Sequence, residues 1–451
     1  MTSEKQALQK EKLIVGTPQI LRETDFDPVG KSVVRKDVIP KVTGKAIYAG
    51  DLHMPGMLIG KVLLSAQPHA LIKGIDISAA AAVPGVKAVL TAQDIPGENV
   101  FGIAIPDQQV LADRKVRFIG EPVAVVAAED AFAAEQAVSK IRVEYEPLPA
   151  VFNPIDGLKP GAPLVHEKGN ILYHTKVRKG NIEKGFDEAS VIVENMYRTA
   201  GQDHAPIEPE AGFSWIDAEG VLNVFTSTQY AFRDRWQIAV VLNLPMNRVR
   251  VANMTMGGGF GRKDDVTTEI LVALLAWKTG RPVRLVYTRH EAMLTQTHRH
   301  PTYVRVRTGA NKEGKLTAME GVIYGDTGAY SSLGIFVIKK MALHLGGPYY
   351  YPNYKSDSFS VYTNNPIYGP FRGFGVLQAA VSHEGQIDEL AEKLGLDPIE
   401  FRLKNCLRPG LSFSTGQVMT EACGIGATLE RLQQYMVENG LSFERPQEVS
   451  A

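Results

Sequence analysis

A glycine-rich turn is the stretch of the sequence best suited to binding chemistry. From Met256 to Asp264 it reads Met-Gly-Gly-Gly-Phe-Gly-Arg-Lys-Asp, and only Phe260 interrupts the glycines. Glycine reaches backbone angles that other residues avoid. A β-rich run at 248–252 precedes the turn and a helix-like run at 267–279 follows it. Backbone amides at such a junction favour an anionic ligand, against which Phe260 would lie. A purely structural turn is the alternative.

The glycine turn does not fit the common nucleotide-binding fingerprints. A dinucleotide-binding turn needs G-x-G-x-x-G, but Arg262 stands at the position of its last glycine. A Walker loop needs G-x4-G-K-[ST]. The run Gly30-Lys31-Ser32 has the right ending, but Asp25 occupies the place of the first glycine. Both nucleotide-binding interpretations therefore fail.

Two polar residues near other turns are candidate ligand contacts. Gln229 ends an expected strand, where it either caps the strand in solvent or serves as a neutral donor beside a ligand. Arg372 lies in a second turn of glycines and aromatic residues, 368–375, which leads into an expected helix. Arg372 is therefore either a surface cation or a partner for an anion at the helix start.

Two histidine-containing runs have side chains of the kind that bind metals. The run 204–210 contains one histidine and two glutamates, but its spacing matches no standard zinc motif. We therefore expect buried structural polar groups there. The run 298–300, His-Arg-His, is expected to form a polar segment or a salt-bridged turn. The sequence has no G-x-S-x-G signature of a serine hydrolase.

Composition and charge exclude several other classes of protein. The chain has 451 residues, 44% hydrophobic and 22% charged residues, and a formal net charge of zero. No basic surplus indicates nucleic acid or an anionic membrane. The two cysteines, Cys406 and Cys423, form no C-x-x-C motif, so we expect no disulfide framework, zinc site or iron–sulfur cluster on this chain. No signal peptide or bilayer-spanning run is visible, and a cytoplasmic location is expected.

The order of the elements predicts a mixed α/β (α+β) fold with two units. An arm at 1–35 precedes a small α/β domain at 36–150. A linker rich in proline and glycine, 151–180, leads to a larger mixed α/β domain at 181–425, followed by a helix and tail at 426–451. In the first unit, strands are expected at 58–64, 86–90, 123–128 and 141–146, with helices at 75–82 and 130–138. In the second, strands are expected at 189–197, 213–216, 222–228, 248–252, 283–288, 304–308 and 316–324, with helices at 231–242, 270–279, 377–393 and 424–439.

Six short motifs, in this order along the chain, resemble the molybdenum hydroxylases, which are the xanthine dehydrogenase and aldehyde oxidase family. The resemblance extends over about residues 30 to 425. The small unit is similar to the hammerhead domain of that family, and the larger unit to the first half of its molybdopterin-binding region. The motifs are Val42–Ala46, Ser65–Ala70, Ile207–Pro209, Ser227–Gln229, Gly257–Gly261 and Phe371–Gly375.

The resemblance also implies a chain that works with a second one. In most members the molybdenum chain continues for several hundred residues, which supply further cofactor loops and the glutamate that acts as general base. No G-E-P-P-like segment lies near the end of this sequence. The chain therefore resembles the large molybdopterin subunit of the split members, of which nicotinate dehydrogenase is the type. The runs 363–366, 374–379 and 383–386 are part of this closer match.

The resemblance assigns cofactor roles to residues of both turns. Gln229 matches a glutamine near the molybdenum oxo group. Gly259, Phe260 and Gly261 match the loop that lies against the dithiolene, and Arg372 matches the arginine on the other side of the cofactor. The residues implied to bind the cofactor are thus Gln229, Gly259, Phe260, Gly261, Arg372 and Gly373, and those implied to lie near the metal are Gln229, Phe260 and Arg372.

The resemblance also places three residues at the substrate. Phe374 matches an aromatic residue that packs on the substrate ring. Asp264 stands where purine hydroxylases carry a glutamate, and Lys340 stands where they carry an arginine. Lysine lacks the planar fork of arginine, and one cation in this pocket can pair with a ring carboxylate.

The resemblance implies hydroxylation of an N-heterocyclic substrate, nicotinate-like or purine-like, with water as the oxygen source. The expected cofactor is Mo-molybdopterin, with the cytosine dinucleotide as one form. Iron–sulfur clusters and FAD are expected on partner subunits, and the catalytic glutamate on a second molybdopterin-binding chain, so no catalytic residue is assigned here. The alternatives are an aldehyde or purine oxidoreductase and a non-catalytic cofactor-binding homologue. A carbon monoxide dehydrogenase is disfavoured because that branch has a cysteine where Gly373 and Phe374 stand.

Overall fold

A computed structural model describes residues 31–421 and 423–441 of the chain. Most of the predicted arm, residues 1–30, and the end of the predicted tail, residues 442–451, lie outside this described part. Residues 31–35 are exposed and belong to no helix or strand. The architecture is mixed α/β, which confirms the expected fold class.

Seventeen strands form four sheets in the described residues. The strands are β1 Leu58–Leu64, β2 Ala70–Asp76, β3 Val86–Leu90, β4 Val100–Phe101, β5 Gln108–Gln109, β6 Lys115–Val116, β7 Pro122–Ala128, β8 Arg142–Pro147, β9 Ile171–Lys179, β10 Val191–Thr199, β11 Ala211–Ile216, β12 Leu222–Thr226, β13 Val249–Asn253, β14 Val283–Val286, β15 Thr302–Ala310, β16 Leu316–Gly328 and β17 Asn353–Tyr362.

Twelve α-helices accompany these strands in the described part of the chain. They are α1 Val38–Val42, α2 Ser78–Ala81, α3 Ala131–Lys140, α4 Pro154–Gly157, α5 Ile182–Asp187, α6 Ala231–Val241, α7 Glu269–Thr279, α8 Arg289–Thr295, α9 Gly334–His344, α10 Val376–Leu394, α11 Pro398–Asn405 and α12 Ile425–Glu438. None of them is long and apolar enough to cross a bilayer.

The largest sheet combines strands from both predicted units. Its order is β13-β12-β11-β14-β1-β7-β3, and β1 pairs in parallel with β14, with Leu58 opposite Val283. Residues 36–150 are predicted to form a separate unit, but three strands of this unit belong to the same sheet as strands of the second unit. The physical reason is that β1 would otherwise leave one row of backbone groups unpaired at a buried edge.

The five-stranded sheet corrects the predicted linker at 151–180. Its order is β10-β15-β16-β17-β9, and β9 pairs antiparallel with β17 along almost its whole length. The interpretation as a linker is therefore wrong for Ile171–Lys179. Apart from Gly180, the proline and glycine residues of the predicted linker lie before this strand, whereas Thr175 and Val177 within it face the core and are buried. The alternation of buried and exposed residues along β9 is the signal that indicates a strand.

A shorter correction concerns the helix expected at 75–82. Ile75 and Asp76 belong to β2, and only Ser78–Ala81 is helical. In contrast, the helix start expected at Asp130 is confirmed, since its side chain accepts a hydrogen bond from the amide of Ala133 over 2.8 Å.

Helix α7 forms the centre of the core behind the glycine turn. Every residue from Glu269 to Ala276 is buried. The helix packs on β11 and β12 and belongs to the main apolar cluster of the molecule. A helix that is apolar on all sides is typical of a buried core element. It therefore gives the turn before it a rigid support.

Candidate functional site

The structure fixes Gln229 between two parts of the glycine turn. Its backbone amide donates to the carbonyl oxygen of Lys263 over 2.8 Å. Its side-chain oxygen Oε1 accepts from the amide of Gly261 over 3.0 Å. Because Oε1 is engaged in this bond, the side-chain nitrogen Nε2 is left as a donor beside the turn. Gln229 is therefore part of the turn and more than a solvated cap of β12.

The glycine turn and the turn around Arg372 interlock. The amide of Arg372 donates to the carbonyl oxygen of Phe260 over 2.8 Å. Gly261 has a φ of +106°, and a Cβ there would lie 2.4 Å from the carbonyl oxygen of Pro370. Only glycine allows this approach of the two backbones. Two turns that lie far apart in the sequence thus form one structure.

A buried lysine stabilises the glycine turn through hydrogen bonds. The ammonium of Lys263 donates to Oε2 of Glu208 over 2.8 Å and to the hydroxyl of Ser227 over 3.0 Å. The same Oε2 accepts from the amide of Gly257 over 2.8 Å. These bonds tie the start and the end of the turn to one carboxylate. A buried charge of this kind is stable only when it is paired and hydrogen-bonded.

The neighbouring Arg262 makes a second buried ion network. Its guanidinium donates to Oε1 of Glu210 over 2.6 Å, to the carboxylate of Asp203 and to the carbonyl oxygen of Ala292. His298 also lies 3.0 Å from the Asp203 carboxylate. Burial by itself raises the pKa of Asp203, but His298 and the charge of Arg262 lower it well below its usual range. The expected structural role of run 204–210 fits this network, and no group of three or more His, Cys, Asp or Glu side chains in the described residues is placed to hold a metal ion.

Stacked side chains hold the second turn. The ring of Phe371 lies 3.9 Å from that of His204 at an interplanar angle of 19°, and the guanidinium of Arg299 lies 3.8 Å from the same ring. His204 also donates through Nε2 to the carbonyl oxygen of Pro370 over 2.8 Å, and Arg299 donates to the carbonyl oxygen of Arg372 over 3.2 Å. Burial lowers the pKa of His204 to about 4, so its ring is neutral at physiological pH.

Three consecutive residues of the second turn have positive φ angles. They are Gly373 at 95°, Phe374 at 49° and Gly375 at 92°. The left-handed region is unfavourable for phenylalanine, and such strain is typical of functional sites. The amide of Phe374 donates to the carbonyl oxygen of Phe371 over 2.7 Å and holds this conformation. The ammonium of Lys340, on α9, lies 5.7 Å from the centre of the Phe374 ring.

Asp264, in contrast, does not have a free carboxylate. Its side chain is buried and forms an ion pair with the guanidinium of Arg233, which also donates to the backbone oxygen of Asp264 over 3.1 Å. The guanidinium lies 3.5 Å above the ring of Tyr230. Burial raises the pKa of Asp264, and the charge of Arg233 opposes that rise. No sequence motif indicates this role of Arg233.

Several polar groups at the junction of the two turns have no partner in the described part of the chain. The amides of Gly258, Gly259 and Phe260 donate to no described residue. The exposed guanidinium of Arg372 forms no hydrogen bond or ion pair there either. Phe260 is half-exposed with a φ of 58°. Unpaired amides and a free guanidinium are groups that favour an anionic ligand.

Family comparisons agree with this arrangement. Residues 165–406 match the molybdopterin cofactor-binding domain, and residues 43–149 match the a/b hammerhead domain of aldehyde oxidase and xanthine dehydrogenase. The chain is 42% identical over 414 residues to the nicotinate dehydrogenase large molybdopterin subunit of Eubacterium barkeri, covering 92% of this chain and 97% of that subunit. The chain belongs to the xanthine dehydrogenase and aldehyde oxidase family. It is thus a molybdopterin-binding chain of the molybdenum-dependent oxidoreductases.

Other members of the family are longer. The chain is 42% identical over 378 residues to a probable xanthine dehydrogenase subunit of Bacillus subtilis (strain 168), covering 84% of this chain and 51% of the relative. The aldehyde oxidoreductase of Desulfovibrio desulfuricans has a similar structure, with a TM-score of 0.87 and 32% identity over 91% of this chain and 47% of that chain. The chain therefore spans about half the length of these two relatives.

The residues at the two turns fit the cofactor of this family. Molybdopterin is an anionic group, and the unpaired amides of 258–260 and the free guanidinium of Arg372 suit such a group. A Cβ at Gly259 would lie 2.6 Å from Oε1 of Gln229, so the backbone there leaves no room for a side chain. The structure brings together Gln229, the 259–261 loop and the Arg372–Gly373 turn, and it places Lys340 beside Phe374.

Proposed function

We propose that this chain is the molybdopterin-binding subunit of a multi-subunit molybdenum hydroxylase that acts on an N-heterocyclic carboxylate of the nicotinate type. The arrangement of charge around Phe374 is the observation that carries the substrate class. The ammonium of Lys340 lies 5.7 Å from the Phe374 ring and has no carboxylate partner among the described residues. The similar subunit of Eubacterium barkeri belongs to a nicotinate dehydrogenase by name.

The pairing of Asp264 also supports an anionic substrate. A purine-type substrate would need an accessible acidic group at this turn, but the carboxylate of Asp264 is engaged by Arg233. The positive charge of Lys340 is therefore not offset by a free carboxylate of the two turns. An anionic ring is favoured in such a site, and Phe374 offers a flat apolar surface to it.

In this proposal, some residues of the two turns bind the cofactor and others bind the substrate. The amides of 258–260 and the guanidinium of Arg372 hold the cofactor, and Nε2 of Gln229 donates to it. Gly261 and Gly373 allow the two backbones to close around it. When bound, molybdopterin supplies the redox chemistry that replaces a ring C–H by C–OH with oxygen from water, releasing two electrons and two protons. Lys340 orients the substrate carboxylate, and Phe374 stacks on the ring.

The proposal requires partner subunits. Since the carboxylate of Asp264 is paired, the general base is assigned to a glutamate of a second molybdopterin-binding chain. Iron–sulfur and flavin subunits receive the electrons. The cofactor is Mo-molybdopterin, with the cytosine dinucleotide as one form, and the complex works in the cytoplasm. Residues 36–150 and 181–425 are the proposed hammerhead and molybdopterin-binding domains, although they share a sheet.

Substitution of Lys340 tests the substrate class. In the purified native complex, Lys340→Met is expected to raise the KM for nicotinate by about tenfold or more, because an ion pair in a partly desolvated site is lost. Lys340→Arg should restore most of the affinity. The matched control is Lys339→Met, since Lys339 is the exposed neighbour on the same helix. An equal effect of both methionine variants, or faster turnover of hypoxanthine than of nicotinate by the wild type, would contradict the proposal.

An aldehyde oxidoreductase is the second candidate, since the similar structure from Desulfovibrio desulfuricans has that activity by name. The two candidates differ in the need for a cation, because a neutral aldehyde gains little from the ammonium of Lys340. Turnover of benzaldehyde that is unchanged in Lys340→Met, together with no turnover of nicotinate by the wild type, would favour this candidate. A complex that contains molybdenum but oxidises neither compound nor a purine would favour a non-catalytic homologue.

A further inference from the structure

The two helices that begin at the site expose pairs of large apolar residues. On α6, Phe232 is 84% and Trp236 is 48% exposed. On α10, Leu377 and Val381 are each 52% exposed. Residues four positions apart lie on the same face of a helix. Each helix therefore presents one apolar stripe to solvent, which is unusual unless another molecule covers it.

Both stripes lie on helices that begin close to residues of the candidate site in the sequence. Helix α6 begins two residues after Gln229, and α10 begins four residues after Arg372. The residues before both helices are bonded to the same glycine turn, since the side chain of Gln229 accepts from the amide of Gly261 and the amide of Arg372 donates to the carbonyl oxygen of Phe260. Phe260, in the same turn, is half-exposed. The stripes and this residue are called the apolar rim, comprising Phe232, Trp236, Phe260, Leu377 and Val381.

An open sheet edge extends the rim on one side. Strand β13 is the edge strand of the seven-stranded sheet, and its outer side pairs with no described strand. Helix α6 packs on β13, and between them lies a groove of about 360 Å³ that Phe232, Val249 and Val251 help to line. An edge strand with an adjacent apolar groove is a ready template for a strand from another chain.

We infer that the apolar rim and the edge of β13 are the docking surface for the second molybdopterin-binding chain. The surface surrounds the site that such a chain must complete, so a chain docked there reaches the cofactor directly. The solved aldehyde oxidoreductase is about twice as long as the matching part of this chain, which covers 47% of it. The similar subunit of Eubacterium barkeri, 97% of which this chain covers, is by name the large molybdopterin subunit, which supports a separate second chain. The inference rests on the proposed division of the molybdopterin-binding region between two chains.

Paired substitutions in the native complex test the surface. The chain is tagged in its native host, the complex is purified, and its subunits are identified by mass spectrometry. The variants Phe232→Ser/Trp236→Ser and Leu377→Ser/Val381→Ser are compared with Phe132→Ser, whose side chain is 76% exposed on α3 and belongs to the hammerhead unit. Size-exclusion chromatography at increasing dilution then measures how much of the second molybdopterin-binding chain is retained.

Each rim variant is expected to weaken retention of the second chain by about tenfold or more, while Phe132→Ser leaves it unchanged. Circular dichroism of the released tagged chain should match that of the wild type, because the substituted side chains lie on the surface. Retention by both rim variants, equal loss in Phe132→Ser, or release of only the iron–sulfur or flavin subunit would overturn the inference. Purification of the wild type without any second molybdopterin-binding chain would instead overturn the proposed division itself.

Hydrogen exchange provides a measurement that needs no variant. The amides of Val249–Asn253 that do not pair with β12 are expected to be protected in the intact complex and to exchange rapidly in the isolated chain. Equal exchange in both samples would overturn the assignment of the β13 edge, even if a rim variant failed to fold.

Discussion

The guanidinium of Arg233 lies between the carboxylate of Asp264 and the ring of Tyr230, and it forms an ion pair with the carboxylate. The pair removes a negative charge from the surface of the glycine turn. In Arg233→Gln the carboxylate of Asp264 is freed, and it should repel an anionic substrate. We expect the KM for nicotinate to rise by about three- to tenfold, as follows from one added charge at several ångströms in a partly buried site.

The double variant Arg233→Gln/Asp264→Asn is the control for this effect. It removes both charges, so the KM for nicotinate should return towards the wild-type value, and Asp264→Asn by itself should leave that KM unchanged or lower it. Equilibrium binding of nicotinate to the complex, measured by calorimetry, should follow the same order. Additive rather than compensating effects would mean that Arg233 acts only on stability.

Gly261 is the position where the two turns approach most closely. In Gly261→Ala, a Cβ would lie 2.4 Å from the carbonyl oxygen of Pro370 in a backbone with a φ of +106°. We expect the free energy of unfolding to fall by about 2–4 kcal/mol and the molybdenum content of the complex to fall with it. Urea denaturation and metal analysis measure the two effects.

Gly280→Ala is the matched control for Gly261→Ala. Gly280 follows α7 with a φ of +66°, but its added Cβ would meet no atom within 4 Å. The cost should therefore be about 1 kcal/mol, which comes from backbone strain alone, and molybdenum should be retained. If both variants lost equal stability and equal molybdenum, the contact between the two turns would have no special role.

Arg372 can be tested without disturbing the fold. Its guanidinium has no partner among the described residues, so Arg372→Gln should change the free energy of unfolding by less than about 0.5 kcal/mol. The amount of molybdenum and pterin retained through purification should nevertheless decrease. The exposed Arg114, substituted in the same way, should leave both quantities unchanged. Full retention of the cofactor in Arg372→Gln would show that the side chain does not bind it.

A buried carboxyl behind the glycine turn predicts a dependence of stability on pH. Asp234 is fully buried on α6, and burial together with the charge of Glu269 raises its pKa well above the usual 3.8. The folded protein therefore keeps a proton that the unfolded chain releases above about pH 4. Stability is then lost as the pH rises from about 4 towards the raised pKa.

Asp234→Asn should remove this contribution. We expect it to raise the melting temperature more at pH 8 than at pH 5, by an amount that corresponds to about 1–3 kcal/mol. The exposed Asp187 on α5 provides the control, and Asp187→Asn should leave the pH profile of the melting temperature unchanged. A parallel shift of the Asp234→Asn profile at all pH values would contradict the titration of this carboxyl.

Local patterns in the sequence predict only those parts of the fold and site that depend on short motifs. The parts of this kind are the glycine turn, the expected helix now seen as α7, and the positions of Gln229 and Arg372 after and before regular elements. The strand β9 is not predicted because the proline and glycine residues before it indicate a linker. The pairing of β1 with β14 joins residues more than 200 positions apart, and no local pattern encodes it.

Long-range ion pairs are likewise invisible in the sequence. Asp264 follows the glycine turn directly, but its partner Arg233 lies 31 residues earlier. Lys263 and Glu208 lie 55 residues apart, although they share one buried bond. Buried charges need partners, so a buried lysine after a glycine turn implies a carboxylate nearby, but the sequence does not say which one. The roles of the site residues therefore stay predictions that the experiments above address.

The molybdenum and pterin content of the native complex tests the central claim most directly. The tagged wild-type chain and Gly259→Val are purified with their partners from the native host, and both are analysed for metal and for pterin. We expect stoichiometric molybdenum and pterin in the wild type and loss of both in Gly259→Val, because the added side chain would meet Gln229. A folded wild-type complex without molybdenum and pterin, or a Gly259→Val complex that retains both, would contradict the assignment of the two turns as the cofactor site.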